Sequence, residues 1–255
     1  MLRLCCLGSG SEGNALVVEA SDGHRSTRVL LDNGFGAAAL RRRLARVGLA
    51  IADIDAVVLT HEHSDHAGGL PALLRQAALP VYCSRPTAQA AAIEDAFVEV
   101  VAGQCVAIGA LALLPFAVAH DAAGPLQYVF GDGDRRLGVL TDVGAPGQEA
   151  LDALSGVDAL LLECNHDVEL LRASAYPPFL KARILGDRGH LSNPQAAEFL
   201  LRLDRRRLGL LAAAHLSRRN NRPALAQAAL AAVMGCAAAD VLVADQDDGL
   251  PWLRL

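Results

Sequence analysis

His61-Glu62-His63-Ser64-Asp65-His66 follows the apolar run Ala56-Val57-Val58-Leu59 and Thr60. Three imidazoles and two carboxylates fall within six residues of a chain that has eight histidines in all, a density that a solvated polar loop does not explain. Neutral imidazole and carboxylate are the ligands that Zn²⁺ and its borderline neighbours accept, and a catalytic site leaves one coordination position open for water. If Ala56 to Thr60 is a buried strand, His61 and His63 stand two apart in extended backbone, point the same way and can grip one ion. Asp65 and His66 come where the chain begins to turn and project to a second position beside it. Two ions roughly 3.5 to 4 Å apart can share one bridging water or hydroxide. One short loop thus offers half of two metal sites.

The run His61-x-His63-x-Asp65-His66, followed by Gly68-Gly69-Leu70, resembles the signature of the metallo-β-lactamase fold superfamily, metal-dependent hydrolases of the α/β class built as a four-layer αββα sandwich. The resemblance implies the remaining motifs. Asp32, after Arg28-Val29-Leu30-Leu31, matches an aspartate that supports the ligand loop. His120, Asp142 and His215 match the later ligands, Asp142 as the bridge between two ions. One site would then hold His61, His63, His120 and Asp142, and the other Asp65, His66, Asp142 and His215. A lone His or Asp at a strand end is ordinarily a surface or capping residue. These four, however, each close a hydrophobic run, so all could lie on one edge of a sandwich, on loops held by rigid strands.

Length and composition agree. With 255 residues, 53% of them hydrophobic, the chain can bury a large core, and no Pro/Ser/Gly-rich linker interrupts it, so a single domain over residues 1–255 is expected. Ala228 to Ala239 is too short to span a bilayer and reads as a packed helix. The opening Met1 to Gly10 reads as a strand and turn and not a signal peptide, and six unpaired-looking cysteines read as reduced thiols of the cytoplasm. Cys164, beside Glu163, reads as a small buried hydrophobe. Strands are expected near 2–7, 15–20, 28–32, 55–60, 111–119, 126–130, 136–141 and 158–163. Helices are expected at about 37–47, 86–97, 194–203 and 223–235, in two architecturally similar halves.

Further runs resemble the small stand-alone bacterial YycJ-like (WalJ-like) group, regarded as 5′ to 3′ exonucleases on DNA. These are Gly8-Ser9-Gly10-Ser11-Glu12-Gly13-Asn14, Glu163-Cys164-Asn165-His166-Asp167, Tyr176 to Arg183, Gly189-His190-Leu191-Ser192-Asn193 and His215-Leu216-Ser217. Glu163 and His190 also occupy positions similar to a glutamate and a histidine that ribonuclease Z uses in proton transfer. A carboxylate that fixes an imidazole tautomer makes a general acid for an alkoxide leaving group. Either residue could instead brace a ligand or cap a helix. His166 could contact a scissile phosphate or order the Glu163 loop, with Asn165 supporting it.

The implied cofactor is a pair of divalent ions, with Zn²⁺, Mn²⁺ and Fe²⁺ all compatible with the ligands. Such ions generate hydroxide at neutral pH and neutralise phosphodiester oxygens, with Asp65 among the residues at the reacting centre. Arg218, Arg219, Asn220, Asn221 and Arg222, directly after His215, could hold a nucleic-acid backbone or simply form a solvated loop. A net charge of −5 and the lack of a long basic run argue against duplex binding through a basic stripe. Arg41-Arg42-Arg43 with Arg46, and Arg205-Arg206-Arg207, read as solvent-facing helix positions. Aromatics make up only 4%, too few for an extended stacking platform. The expected activity is therefore metal-dependent hydrolysis of a phosphodiester, DNA first. The alternatives are a nucleotide phosphodiesterase, a glyoxalase-II-like thioesterase and a non-catalytic metal-binding scaffold.

Overall fold

The computed structural model describes residues 1–21, 23, 25–94 and 97–255. Its first half supplies β1 (Leu2–Gly8), β2 (Ala15–Ser21), β3 (Ser26–Leu31), β4 (Ala56–Val58), β5 (Val81–Cys83) and β6 (Phe97–Glu99). Its second half supplies β7 (Val106–Ile108), β8 (Leu111–Ala117), β9 (Leu126–Gly131), β10 (Arg136–Leu140), β11 (Ala159–Glu163), β12 (Leu210–Ala214), β13 (Leu242–Val243) and β14 (Leu250–Arg254). The helices are α1 (Ala37–Arg46), α2 (Ser64–Ala67), α3 (Leu70–Leu74), α4 (Arg85–Ala90), α5 (Gln148–Leu154), α6 (Val168–Ala173), α7 (Pro178–Leu185), α8 (Asn193–Arg202) and α9 (Pro223–Met234).

The strands form two seven-stranded sheets, ordered β14-β1-β2-β3-β4-β5-β6 and β13-β12-β11-β10-β9-β8-β7. Both follow one plan. Antiparallel pairing runs from β14 to β3 and from β7 to β10, and parallel pairing takes over from β3 to β6 and from β10 to β13. The two halves expected from the sequence are thus equivalent in topology, with β14 returning to complete the first sheet.

Side-chain parity explains the layers. Leu4, Val18, Val29, Leu31, Ala56 and Val58 of the first sheet meet Leu113, Tyr128, Phe130, Val139 and Leu161 of the second in one core. The intervening residues Cys5, Leu7, Val17, Leu30 and Val57 turn outward and pack against Leu40 and Leu44 of α1, Leu70 and Leu73 of α3 and Ala88 of α4. On the opposite side Leu160, Leu162, Leu211 and Ala213 pack against α5, α8 and α9. Sheets buried on both faces read as continuous apolar runs, and four αββα layers result.

Three local expectations differ. The helix expected over residues 86–97 ends at Ala90, where the chain turns through Ala92 at φ 54°, and Phe97 opens β6; residues 95 and 96 of that span lie outside the described residues. The helix expected to run to Ala239 ends at Met234, because Gly235 takes the left-handed conformation that closes a helix. Arg205 to Arg207 form the turn after α8, where Arg207 pairs with the buried Asp158. Among the described residues, no helix is long and apolar enough to cross a membrane.

Candidate metal centre

β1, β3, β4, β8, β10, β11 and β12 all end at one edge of the sandwich, and the loops that leave them carry the site. Asp32 follows β3, His61 to His66 follow β4, His120 follows β8, Asp142 follows β10, and His215 follows β12. Asp32, Asp142 and His215 adopt φ of 59°, 53° and 54°. Left-handed backbone costs a non-glycine residue about 1–2 kcal/mol, and such strain gathers at functional sites where the surroundings enforce it. Of the four such residues among those described, three stand here.

The histidines of the His61 to His66 run lie close together. The imidazoles of His61 and His63 have centroids 4.6 Å apart, and His120 joins them at 5.0 and 5.1 Å. Asp65, His66, Asp142 and His215 form a second group of donors, which a metal could bridge. Asp142 lies between the two. Its carboxylate is 3.1 Å from His66 Nε2, 3.5 Å from His215 Nδ1 and 3.9 Å from His120 Nε2. A third combination joins Asp142 and His215 to Glu163 and His190.

The outer partners fix which nitrogen faces inward. His66 Nδ1 lies 2.8 Å from Asp32 Oδ2, His61 Nδ1 3.0 Å from Thr60 Oγ1, His120 Nδ1 3.1 Å from the Gly189 carbonyl and His215 Nδ1 3.1 Å from Glu163 Oε1. Thr60 in turn donates its hydroxyl and its backbone N–H to the two Asp32 oxygens, both at 2.8 Å. The Nε2 atoms of His61, His120 and His215 are buried with no hydrogen-bond partner among the described residues. Buried polar atoms left open at one point, each with its other nitrogen engaged, form the donor set that a divalent cation requires. Charge agrees. Burial opposes ionisation of Asp142, but His215 and His66 hold its carboxyl well below the ordinary range. Burial, together with the neighbouring His66, keeps His61 neutral and therefore able to ligate.

Glu163 is fully buried. Its Oε1 accepts from His190 Nδ1 at 2.8 Å and its Oε2 from the backbone N–H groups of Val143 and Leu191 at 3.0 and 3.1 Å. Burial alone would raise its pKa, yet His190 and the hydrogen bonds bring it to about 2. His190 shifts the opposite way and is raised, since burial would lower it but Glu163 outweighs burial. Ser192 and Gln195 form a capping box at the start of α8, and the Leu191 carbonyl accepts the Asn165 N–H at 2.9 Å, which ties the His190 turn to the end of β11.

A cleft of about 240 Å³ opens over this centre, lined by His63, Asp65, Asp142, His190 and His215 and, on the far wall, by Tyr176 and Arg183. Other residues picked from the sequence take various places. Asn165 donates to the His215 carbonyl at 3.1 Å and lines the cleft, as does Asn220. Asn221 is buried and spends its amide on the Cys164 carbonyl and Asn193. His166 is fully buried, both ring nitrogens without a hydrogen-bond partner among the described residues. Arg218 pairs with Asp247 and Glu12, outside the cleft lining, and Arg219 stands 6.0 Å over the Tyr176 ring. The Cys164 thiol is buried, and burial pushes its pKa up.

Sequence reasoning gave no role to Thr60, Asn14, Ser9 or Asp121. Asn14 Nδ2 stands 3.0 Å from His66 Nε2 and 3.2 Å from the Asp65 carbonyl, and Ser9 Oγ accepts the His215 N–H at 2.9 Å. The glycine-rich stretch from Gly8 to Gly13 was their only signal. Asp121, next to His120, has an oxygen 3.3 Å from its Nε2.

Residues 27–211 match the family model of the β-lactamase superfamily domain. The chain is 35% identical over 240 residues to the exodeoxyribonuclease YycJ of Bacillus anthracis, covering 91% of this chain and 89% of the relative. It is 34% identical over 223 residues to the exodeoxyribonuclease WalJ of Streptococcus pneumoniae, covering 84% and 81%. The fold is similar to the metallo-β-lactamase fold protein YhfI of Bacillus subtilis, with a TM-score of 0.73 at 17% identity over 96% of this chain and 97% of that one.

Proposed function

The chain belongs to the metallo-β-lactamase superfamily of metal-dependent hydrolases, and we propose that it is a phosphodiesterase that removes nucleotides from DNA ends in the 5′ to 3′ direction, using two divalent ions. The reading treats residues 1–255 as one domain acting in the cytoplasm. One observation carries it: a single carboxylate, Asp142, is shared by histidines of both donor groups, with the His190–Glu163 pair beside it at the open side. The names of the curated relatives support DNA as the substrate.

His61, His63 and His120 would hold one ion, and Asp65, His66 and His215 the other, with Asp142 between them. When bound, the ions supply an ionised water at neutral pH and neutralise the non-bridging oxygens of the diester. The protein's own groups do the rest. Asp32 and Thr60 keep His66 and His61 in one tautomer and orientation. His190, partly open to the cleft and held at Nδ1 by Glu163, presents its other nitrogen to give a proton to the departing sugar oxygen. Glu163 stays ionised and stabilises the charged imidazole before transfer.

The test is hydrolysis of a 5′-labelled single-stranded DNA oligonucleotide and of bis-p-nitrophenyl phosphate by Mn²⁺- or Zn²⁺-loaded protein, with Asp65→Ala as control. End-release of nucleotides, lost in the variant, is the expected result. Cleavage of the small diester alone would replace DNA by a small nucleotide, and turnover of neither would overturn the phosphodiesterase.

A further inference from the structure

α7 contributes no buried residue, although it carries Phe179, Leu180, Ile184 and Leu185. Phe179 is 75% exposed, while Phe35, Phe116, Phe130 and Phe199 are buried and Phe97 half-buried. Leu180, Arg183 and Ile184, at the i, i+3 and i+4 positions of one face, line the same cleft as His215. Phe179 precedes Arg183 by four residues and so neighbours it on the helix surface, outside the cleft lining itself. The helix is not a loose flap. A side chain at Gly144, two residues past Asp142, would meet the backbone of Asp187 and Gly189 at 2.5 Å, and one at Gly189 would meet the Arg183 and Ile184 carbonyls at 2.3 and 2.2 Å. The end of α7 is therefore locked backbone to backbone against the loop that carries Asp142.

Arg183 is anchored at one end only. Its Nε donates to Asp121 Oδ2, and its terminal Nη groups have no hydrogen-bond partner among the described residues, with 58% of the side chain exposed. A guanidinium fixed at Nε presents its two Nη groups as a planar fork, the shape that takes phosphate oxygens in pairs. Arg219 lies 6.0 Å over the ring of Tyr176, which lines the cleft, adding a second cation beside a second aromatic.

We propose that α7 with Tyr176 is the lip that grips the nucleic-acid strand next to the scissile bond, Arg183 binding a backbone phosphate and Phe179 stacking on an unpaired base. This rests on the phosphodiesterase reading above. Stacking is tolerant of base identity and needs no basic stripe, so it fits single-stranded ends on a chain of net charge −5. It also explains why a large aromatic is left in solvent one helical turn from a residue of the cleft wall.

The experiment measures binding of metal-loaded protein to a fluorescent single-stranded oligonucleotide with phosphorothioate linkages, beside KM on cleavable DNA and turnover of bis-p-nitrophenyl phosphate. Phe179→Leu and Arg183→Gln should each weaken oligonucleotide binding about tenfold and raise KM, the loss expected for one stacked base or one phosphate contact. Phe179→Trp should restore binding, and in the Phe179→Leu variant metal content and small-diester turnover should stay within twofold of wild type. Unchanged DNA binding in both variants, or a parallel loss on the small diester in Phe179→Leu, would overturn the lip. Failure of the wild-type protein itself to bind or degrade the oligonucleotide, while it cleaves the small diester, would instead refute the DNA reading and the lip with it.

Discussion

Asp32 reaches the site only through other residues, and that makes it the cleanest probe of bracing as distinct from ligation. Its two oxygens accept from Thr60 N–H, from Thr60 Oγ and from His66 Nδ1, all at 2.8 Å. Asp32→Asn puts an amide where one of these acceptors stood, which releases the His66 tautomer without removing a ligand. Metal affinity should fall about 10- to 100-fold, measured by competition with a chromogenic chelator. His190 poses the converse case. His190→Gln should keep full metal content and lower kcat about 10²–10⁴-fold, the usual worth of a positioned proton donor. Equal loss of metal in this variant would move His190 into the ligand set that it can also join with Glu163, Asp142 and His215. At this scale the motif was legible because His61, His63, Asp65 and His66 are neighbours in sequence. Thr60 and Asn14 were not, since their contacts with Asp32, His66 and Asp65 are made across tens of residues and their types are common in any turn.

The elements show why the first sheet can carry a charge without weakening. Glu19 in β2 stands directly opposite Arg3 in β1 and Arg28 in β3, and pairs with both. The carboxylate is 1% exposed, so it depends on those partners. Burial would raise its pKa, but the two guanidinium groups lower it in the folded state. Its contribution to stability is therefore complete above the unfolded glutamate range, near pH 4 to 5, and is lost as pH falls through the lowered folded value. Glu19→Gln should cost about 1–3 kcal/mol at neutral pH. In urea unfolding, the gap to wild type should close under acid conditions; a gap independent of pH would contradict the cross-strand ion pairs. Long elements were readable: α1, α8, α9 and the strands from β8 to β11 lie near their expected places because apolar periodicity ran through them. β5, β6 and β7 were not, as three residues carry no period, and they exist because parallel or hairpin neighbours pair with them.

For the whole molecule, the repeated plan of the two sheets matters most. Each half turns from antiparallel to parallel pairing at β3 or β10, and the aspartates just beyond, Asp32 and Asp142, both sit in left-handed backbone. Asp32 bonds Thr60 and His66 of the loop after β4, and Asp142 lies beside histidines of both donor groups, so the duplicated architecture delivers the same residue type to the same edge in different surroundings. None of that symmetry is visible as a sequence repeat. The αββα sandwich itself was reached through the histidine motif, and the continuous apolar strands agree with sheets covered on both faces. The account stands on Asp142 belonging to two ion sites at once. The measurement that tests it most directly is the number of divalent ions per chain, by elemental analysis of Mn²⁺- or Zn²⁺-reconstituted protein, for wild type and Asp142→Ala side by side. Two ions in the wild type, with both lost or weakened together in the variant, is the predicted result. A single ion in the wild type, or loss of only one ion in Asp142→Ala, would contradict it.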